Sequence, residues 1–489
     1  MKKSFKICKI VLKMWLKEFA KVINSYQKLI LLVFFLGSIL FVGAYGSYQL
    51  TSPIMETFLQ GNHESLTLLV FAALMNTSVI SVALYIAFKT ITPEQDRLST
   101  QLNWFPLSKF DIQVGYYLPF VAMITFTTLL FTSIMMLPSL LVHGIDIGFI
   151  GWLYAVILLQ TLMIVSLAHA TYTILYVSMK KVGLPLPKSL SLFALTAICV
   201  ILGLSLFDLN EITTAATNFD YKLFYLLAPL FLVVFDLMVT SPSMIFAVTG
   251  VLLLAVAIPF ITMLLPYNQP EKRQVTLLSS VEGPKNKYLA LMMKELKTAI
   301  RHEETISTFV MIVTLLLIAV ISFEFTPTVY AILPYFLAAL ASLHALQSYG
   351  NDVHMFPLYR FYALETRVVF GAKLSALVAV ALFQLIVFFL FIVSPYLTVN
   401  MLLICVAVLL TASLILYAIG SIIPINKDNP LTGVFSFASL LVFVIPMFFI
   451  INTFFPNLSL GVKIGIIIVF ESILLYLAFY VTKWRLHYV

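Results

Sequence analysis

Long apolar runs separated by short polar loops, every second one basic, set the pattern of this chain. Each run approaches the roughly 20 residues a helix needs to cross about 30 Å of hydrocarbon. In the first half the runs place spanning helices at 28–50, 65–89, 115–141, 149–178, 189–207 and 243–266. In the second half they fall at 306–324, 328–349, 369–394, 399–424, 432–454 and 461–482. Residues 222–241 are also apolar enough to span, but a helix crossing there would carry the basic segment 267–301 to the outside. Residues 208–242 are therefore assigned to an external re-entrant or interfacial pair, with Pro229 and Asp236 marking a broken helix buried against protein.

Two stretches follow a different pattern. Along 2–23, Phe5, Cys8, Leu12, Trp15, Phe19 and Val22 share one helical face, with Lys2, Lys6, Lys9, Lys13, Lys17 and Lys21 largely off it. This predicts an amphipathic helix lying in the membrane interface with its lysines drawn to anionic headgroups; a helix binding a soluble partner has the same pattern. Residues 267–305 form a cytoplasmic linker with a second such helix. Its face is Tyr288, Leu291, Met292, Leu296 and Ala299, ringed by Lys287, Lys294, Lys297 and Arg301. Lys294-Glu295-Leu296 echoes Lys17-Glu18-Phe19.

The halves also share a motif. Phe105-Pro106-Leu107-Ser108-Lys109-Phe110 returns as Phe356-Pro357-Leu358-Tyr359-Arg360-Phe361, about half of the 489 residues further on. Each copy follows one apolar run and leads into another, the position of a cytoplasmic loop between the second and third spans. The predicted fold class is all-α: a polytopic membrane protein of about 12 transmembrane helices as a 6+6 internal repeat, each half preceded by an interfacial helix. The first half occupies 1–266, with its motif loop at 90–114, and the second occupies 306–489, with its motif loop at 350–368.

Composition agrees with this reading. Hydrophobic residues make up 62% and charged residues 10%, against roughly 45–50% and about 25% in soluble domains. The net charge of +8 reads as basic cytoplasmic loops, not as a nucleic-acid surface. Loops 51–64, 142–148, 325–327 and 395–398 hold no Lys or Arg, which puts both termini in the cytoplasm, with Lys222 and Lys463 as exceptions. Cys8, Cys199 and Cys405 are too scattered for a disulfide framework, and the N-terminus lacks the continuous apolar core of a cleavable signal. His169 and His344 have no companion at ligand spacing, so no metal site is expected.

The basic loops carry the candidate chemistry. Thr92-Pro93-Glu94-Gln95 reads as a helix start, with Thr92 as cap, Pro93 at the first position and Gln95 closing a capping box. Glu94, Asp96, Arg97, Trp104, Phe105, Pro106 and Lys109 follow. The second loop offers Asp352, His354, Phe356, Pro357, Arg360, Glu365 and Arg367. Charged helical loops with exposed aromatics suit docking to another protein; loops that only return the chain are the alternative. Within the spans, Asp236, Glu471, His169, Gln160 and Gln384 stand out. A charge at mid-membrane costs about 2.5–3.5 kcal/mol on insertion scales, so such groups either line a substrate path or make hydrogen-bonded packing contacts.

The order of an interfacial helix, two spans, a loop reading FPLSKFDIQVGYYL, and four spans with an external element before the sixth resembles the permease subunit of ABC-2 type exporters. The likeness is to fused two-half forms found beside Gram-positive bacteriocin and drug-export ATPases. The resemblance implies elbow helices around Glu18 and Glu295, coupling helices at 92–110 and 350–367, and an external hairpin at 208–242. It further implies a bacterial cell-membrane location and a separate ABC ATPase, in two copies, carrying ATP and Mg. The exported substrate would be hydrophobic or amphipathic: a peptide or bacteriocin, a drug, or a lipid-like compound. No GxxxxGK[ST] loop occurs in the sequence, so this chain is expected to hold no cofactor and no catalytic residues of its own. The alternatives are a proton- or ion-coupled secondary transporter, an enzyme acting on lipid-linked substrates, with Glu56, His63 and Glu64 as its thin offer, and a toxin immunity protein. Charge reversal at Arg97 or Arg360 is expected to weaken ATPase docking while membrane insertion persists, measured by co-purification from membranes.

Overall fold

The computed structural model describes residues 2–22, 63–91, 101–102, 104–184, 187–206, 257–264, 284–301, 327–352, 355–391, 399–422 and 460–488. It also describes positions 37, 44, 45, 48, 253, 305, 306, 309, 310, 312, 313 and 316. The described residues are helical, with no strand among them. The chain divides into two compact units, Met1–Thr90 with Glu94–Gln269, and Ile91–Pro93 with Pro270–Val489. Five of the described helices are long and apolar enough to cross a membrane, in keeping with a helical membrane protein.

The first unit contains α1 (Lys2–Val22), α2 (His63–Ile91), α3 (Lys109–Val142), α4 (Ile147–Val182) and α5 (Pro187–Leu206). Ser108 caps α3 by accepting from the Asp111 N–H at 3.1 Å, and its hydroxyl donates to Asp111 Oδ2 at 2.6 Å. Asp146 caps α4 through Phe149 N–H. Gly183 ends α4 in the left-handed region at φ 76, beside Lys180 and Lys181, which face the carbonyl end of the helix dipole. Buried hydroxyls in α2 return to their own helix, Thr77 to Ala73 O and Ser81 to Thr77 O, so they enter the apolar layer with their hydrogen bonds made.

The second unit contains α6 (Lys287–Arg301), α7 (Pro327–Ala341), α8 (Ala345–Asp352), α9 (Phe356–Phe361), α10 (Thr366–Phe391), α11 (Val399–Ile422) and α12 (Leu460–Tyr488). Leu337, Ala338 and Ala341 of α7 meet Ala381, Leu385 and Phe388 of α10 and Cys405 and Leu409 of α11. A second core joins Ala345 and Leu346 to Leu377, Tyr417 and Ala478.

Several sequence expectations change. The run at 328–349 is not one helix: it breaks at Ser342-Leu343-His344 into α7 and α8. The Ser342 hydroxyl reaches across to Leu409 O at 3.1 Å, and Ser413 donates to Ser342 Oγ at 2.9 Å. The backbone N–H groups at the break turn to carbonyls three residues back, Ser342 to Ala339 O, Leu343 to Leu340 O and Ala345 to Ser342 O, so they stay bonded without the helix. The last helix runs to Tyr488, past the expected end at 482. The assigned segments 208–242 and 432–454 and the capping box at Thr92–Gln95 lie outside the described residues, as does most of 28–50, 243–266 and 306–324.

The face of α1 is also corrected. Cys8 and Trp15 are buried as expected, but their companions are Ser4, Ile7 and Val11; Phe5 and Leu12 are exposed. The cause lies in α3. A Cβ at Gly115 would come within 2.5 Å of Ile7 Cγ2, so the glycine provides the notch that Ile7 fills. Ser4 donates to Asp111 Oδ1 at 2.6 Å, which pins the rotation of α1. Phe19 and Val22 have side chains outside the described residues.

Gly420 of α11 brings backbone against backbone, because a methyl group there would overlap the Leu346 carbonyl of α8. Gly151 has open space around it. Gly420→Ala is expected to cost about 1–3 kcal/mol by overpacking, whereas Gly151→Ala should raise stability by about 0.5–1 kcal/mol. Thermal unfolding of the purified variants checks both signs.

Candidate functional site

In each unit a basic amphipathic helix lies along the long helix that follows the FPL loop: α1 along α3, and α6 along α10. Both are seated over a glycine. Ile7 fills the space beside Gly115, and the Tyr288 ring comes to 3.2 Å from where a Cβ of Gly371 would stand. The Tyr288 hydroxyl donates to Gly371 O at 3.1 Å and lies 2.9 Å from Ser375 Oγ.

The second unit adds a buried charge cluster. Glu295 is 7% exposed and Lys373 fully buried. Lys373 Nζ donates to Glu295 Oε2 at 3.2 Å, and Lys294 Nζ to Oε1 at 3.0 Å. The Tyr359 hydroxyl donates to the same Oε1 at 3.1 Å while accepting from Lys294 Nζ at 2.7 Å. One carboxylate thus joins α6, α9 and α10. Beneath it, Leu291, Tyr349, Phe356, Tyr359, Val369, Ala372 and Leu486 form a shared apolar core.

That core explains α9. Phe356 and Tyr359, three apart and so on one face, point into it, while Leu358, Phe361 and Tyr362 stay exposed, Phe361 at 83%. Arg360 Nε donates to Leu486 O at 2.9 Å, tying α9 to the last turn of α12. The helix ends with Ala363 in the left-handed region at φ 47, and Leu364 N–H returns to Tyr359 O. An alanine there carries backbone strain of about 1–2 kcal/mol that a glycine would avoid.

The two hexamers therefore share letters but not conformation. In the first unit Phe105, Pro106 and Leu107 form a turn, Trp104 is 84% and Phe105 62% exposed, and Lys109 opens α3. In the second, all six residues are the helix α9 and Phe356 is buried. The difference follows from what comes next. Ser108-x-x-Asp111 starts a long helix inside the first motif, whereas Tyr362 to Glu365 intervene before α10 in the second. Pro357 sits in the first turn of α9, where a missing N–H costs nothing. Glu365 and Arg367 are exposed at the start of α10, and Asp352 closes α8. Glu94, Asp96, Arg97 and His354 lie outside the described residues.

Of the expected path residues, Gln160 and His169 belong to the first unit and Gln384 and Glu471 to the second. Gln160 is fully buried and donates to Ser78 Oγ at 2.8 Å between α4 and α2. His169 Nδ1 is 3.2 Å from the Tyr85 hydroxyl, and its ring lies 4.6 Å from that of Tyr117, so it bridges α2 and α3 from α4. Tyr117 and Ser166 pair at 3.0 Å. These contacts favour interhelical packing for both residues. Gln384 is buried in α10. Glu471 is half-buried in α12, and its Oε1 has no hydrogen-bond partner among the described residues. Asp236 lies outside them. Burial pushes the Cys8 thiol up, away from the thiolate form that a nucleophilic cysteine uses. No cluster of metal-ligating side chains occurs among the described residues.

Sequence reading gave Lys373, Tyr359 and His344 no site role of their own, although Tyr359 stands in the repeated motif and His344 was weighed as a metal ligand. Lys373 inside an apolar run beside a linker carrying a glutamate was the available hint. Searches against protein-family models, curated proteins and solved structures return no match for this chain. Its function is therefore read from its own residues.

Removing the Glu295 charge takes the carboxylate from a fully buried lysine, a loss of about 3–5 kcal/mol for a buried pair. Glu295→Ala is expected to lower the unfolding midpoint sharply. Glu295→Leu with Lys373→Met should recover most of the loss, and a double-mutant cycle by thermal unfolding measures the coupling.

Proposed function

We propose that this chain is the membrane-spanning permease subunit of an ATP-driven exporter in a bacterial cell membrane, working with a separate ABC ATPase. The observation that carries the reading is α9: a six-residue helix held from beneath by Phe356, Tyr359 and the Glu295 cluster, with Leu358, Phe361 and Tyr362 turned outward. A short, rigidly seated helix with an apolar outer face suits a cleft on a partner that pulls on it. The exposed Trp104 and Phe105 offer the equivalent surface in the first unit. The platform beneath α9 would pass the partner's motion to α6 and α10, and so into the membrane. The cargo would be hydrophobic or amphipathic, in keeping with a chain that is 62% hydrophobic. Both termini would be cytoplasmic and the ATPase present in two copies.

A second reading, a proton-coupled transporter, is favoured by Glu471, a half-buried carboxyl in an apolar helix with one oxygen unbonded among the described residues.

The test is affinity purification of the tagged chain from its host in gentle detergent, with wild type beside Leu358→Ser/Phe361→Ser. These positions are exposed, whereas Arg360 also anchors α12 through Leu486 and is the poorer probe. A P-loop protein recovered with wild type and reduced about 10-fold or more with the variant, as loss of an apolar anchor implies, supports the exporter. Equal recovery with both overturns the role of α9. Wild type without any ATPase turns attention to Glu471→Gln and transport driven by a proton gradient.

A further inference from the structure

His344 occupies the break between α7 and α8, and its ring is buried, 8% exposed. Nδ1 lies 2.9 Å from Ala341 O, and Nε2 lies 3.1 Å from Leu377 O on α10. Both neighbours are acceptors. A neutral imidazole donates through one nitrogen only, so in that form one of the two contacts sets a lone pair against a lone pair; an imidazolium donates to both. The break itself creates the demand. Ala345 N–H bonds Ser342 O, a tight three-residue turn, and the ring takes up the Ala341 carbonyl instead.

Burial opposes a charge on the ring. The two carbonyl acceptors favour it, and Glu295 of α6 lines the same small cavity as His344, together with Thr298, Thr305 and Ser348. The cavity has room for about one water molecule, enough to carry a proton to or from the ring. Other titratable groups stand on the elements packed here: Lys287, Tyr288, Lys297 and Arg301 on α6, Arg367 on α10, and Tyr330 and Tyr335 on α7. Lys373 on α10 and Lys294 on α6 are bonded to Glu295, as is Tyr359 of α9. Helix α11 offers Cys405 and Tyr417, and α8 offers Tyr349 and Asp352.

We propose that His344 is a proton-binding site, loaded and emptied through the cavity it shares with Glu295, and that the bound proton ties the α7–α8 turn to α10. Loading forms the second N–H···O=C bond of the ring; unloading passes that proton out through the cavity and releases one carbonyl contact. Glu295 accepts from Tyr359 and also lines the His344 cavity, so displacement of α9 reaches the wall of that cavity. This inference stands apart from the export reading, since it concerns the chain alone.

The experiment is NMR of the full chain in lipid nanodiscs with ring-15N histidine, titrated from about pH 5 to about pH 8, the range in which histidine changes charge. The His344 resonances are assigned by their loss in His344→Gln. Where that variant does not fold, a chain keeping His344 with its other histidines changed to Gln assigns them. Two protonated ring nitrogens at the acid end, with loss of one proton inside the range, are expected. A ring that keeps one protonation state throughout, neutral or cationic, overturns the proposal.

Discussion

A carboxylate buried among three helices needs hydrogen-bond donors from all of them, and Glu295 has them in Lys294, Tyr359 and Lys373. Desolvating such charges costs several kcal/mol per ion, and only good geometry returns it. The cluster is therefore a poor source of stability but a strong determinant of arrangement. Any shift of α6, α9 or α10 leaves a buried charge without one of its bonds. The apolar core below, with Phe356 and Leu486, fills space around that fixed point. Both the seating of α9 and the placement of the cavity beside His344 follow from where Glu295 stands.

The first unit reaches a similar helix-on-helix arrangement by a cheaper route. Ser4 and Ser108 both bond Asp111, at the solvated start of α3, and Ile7 settles at Gly115. Hydroxyl donors to a partly exposed carboxylate carry a smaller desolvation cost than the buried ion pairs around Glu295. The FPL segments mirror the contrast, a capped turn in one unit and a clamped helix in the other.

Deeper in the first unit, α2, α3 and α4 are joined by single polar pairs: Ser78 with Gln160, Tyr85 with His169, and Tyr117 with Ser166. Where lipid and side chain are equally apolar, such bonds contribute about 0.6–2 kcal/mol each and, with close packing, select which helix faces meet. Tyr85 shows this well: it is fully buried, edge-on to Phe120, and bonded to His169.

Much of the helical content was legible from the sequence. Runs of about 20 apolar residues satisfy their own backbone in lipid as helices, and the described parts of the expected 65–89, 115–141, 149–178, 189–207, 369–394 and 399–424 each fall on one helix. Alternating lysine and apolar positions likewise marked α1 and α6. Tertiary structure alone decided which face of α1 is buried, because helical spacing places Phe5 and Ile7 equally well until the notch at Gly115 chooses. It also decided the break at Ser342-Leu343-His344, where the Ser342 and His344 side chains reach carbonyls on α11 and α10. Most of all it brought Glu295, Tyr359 and Lys373 together from three separate segments. A sequence shows that a lysine enters an apolar run; only the packed neighbours show what holds its charge.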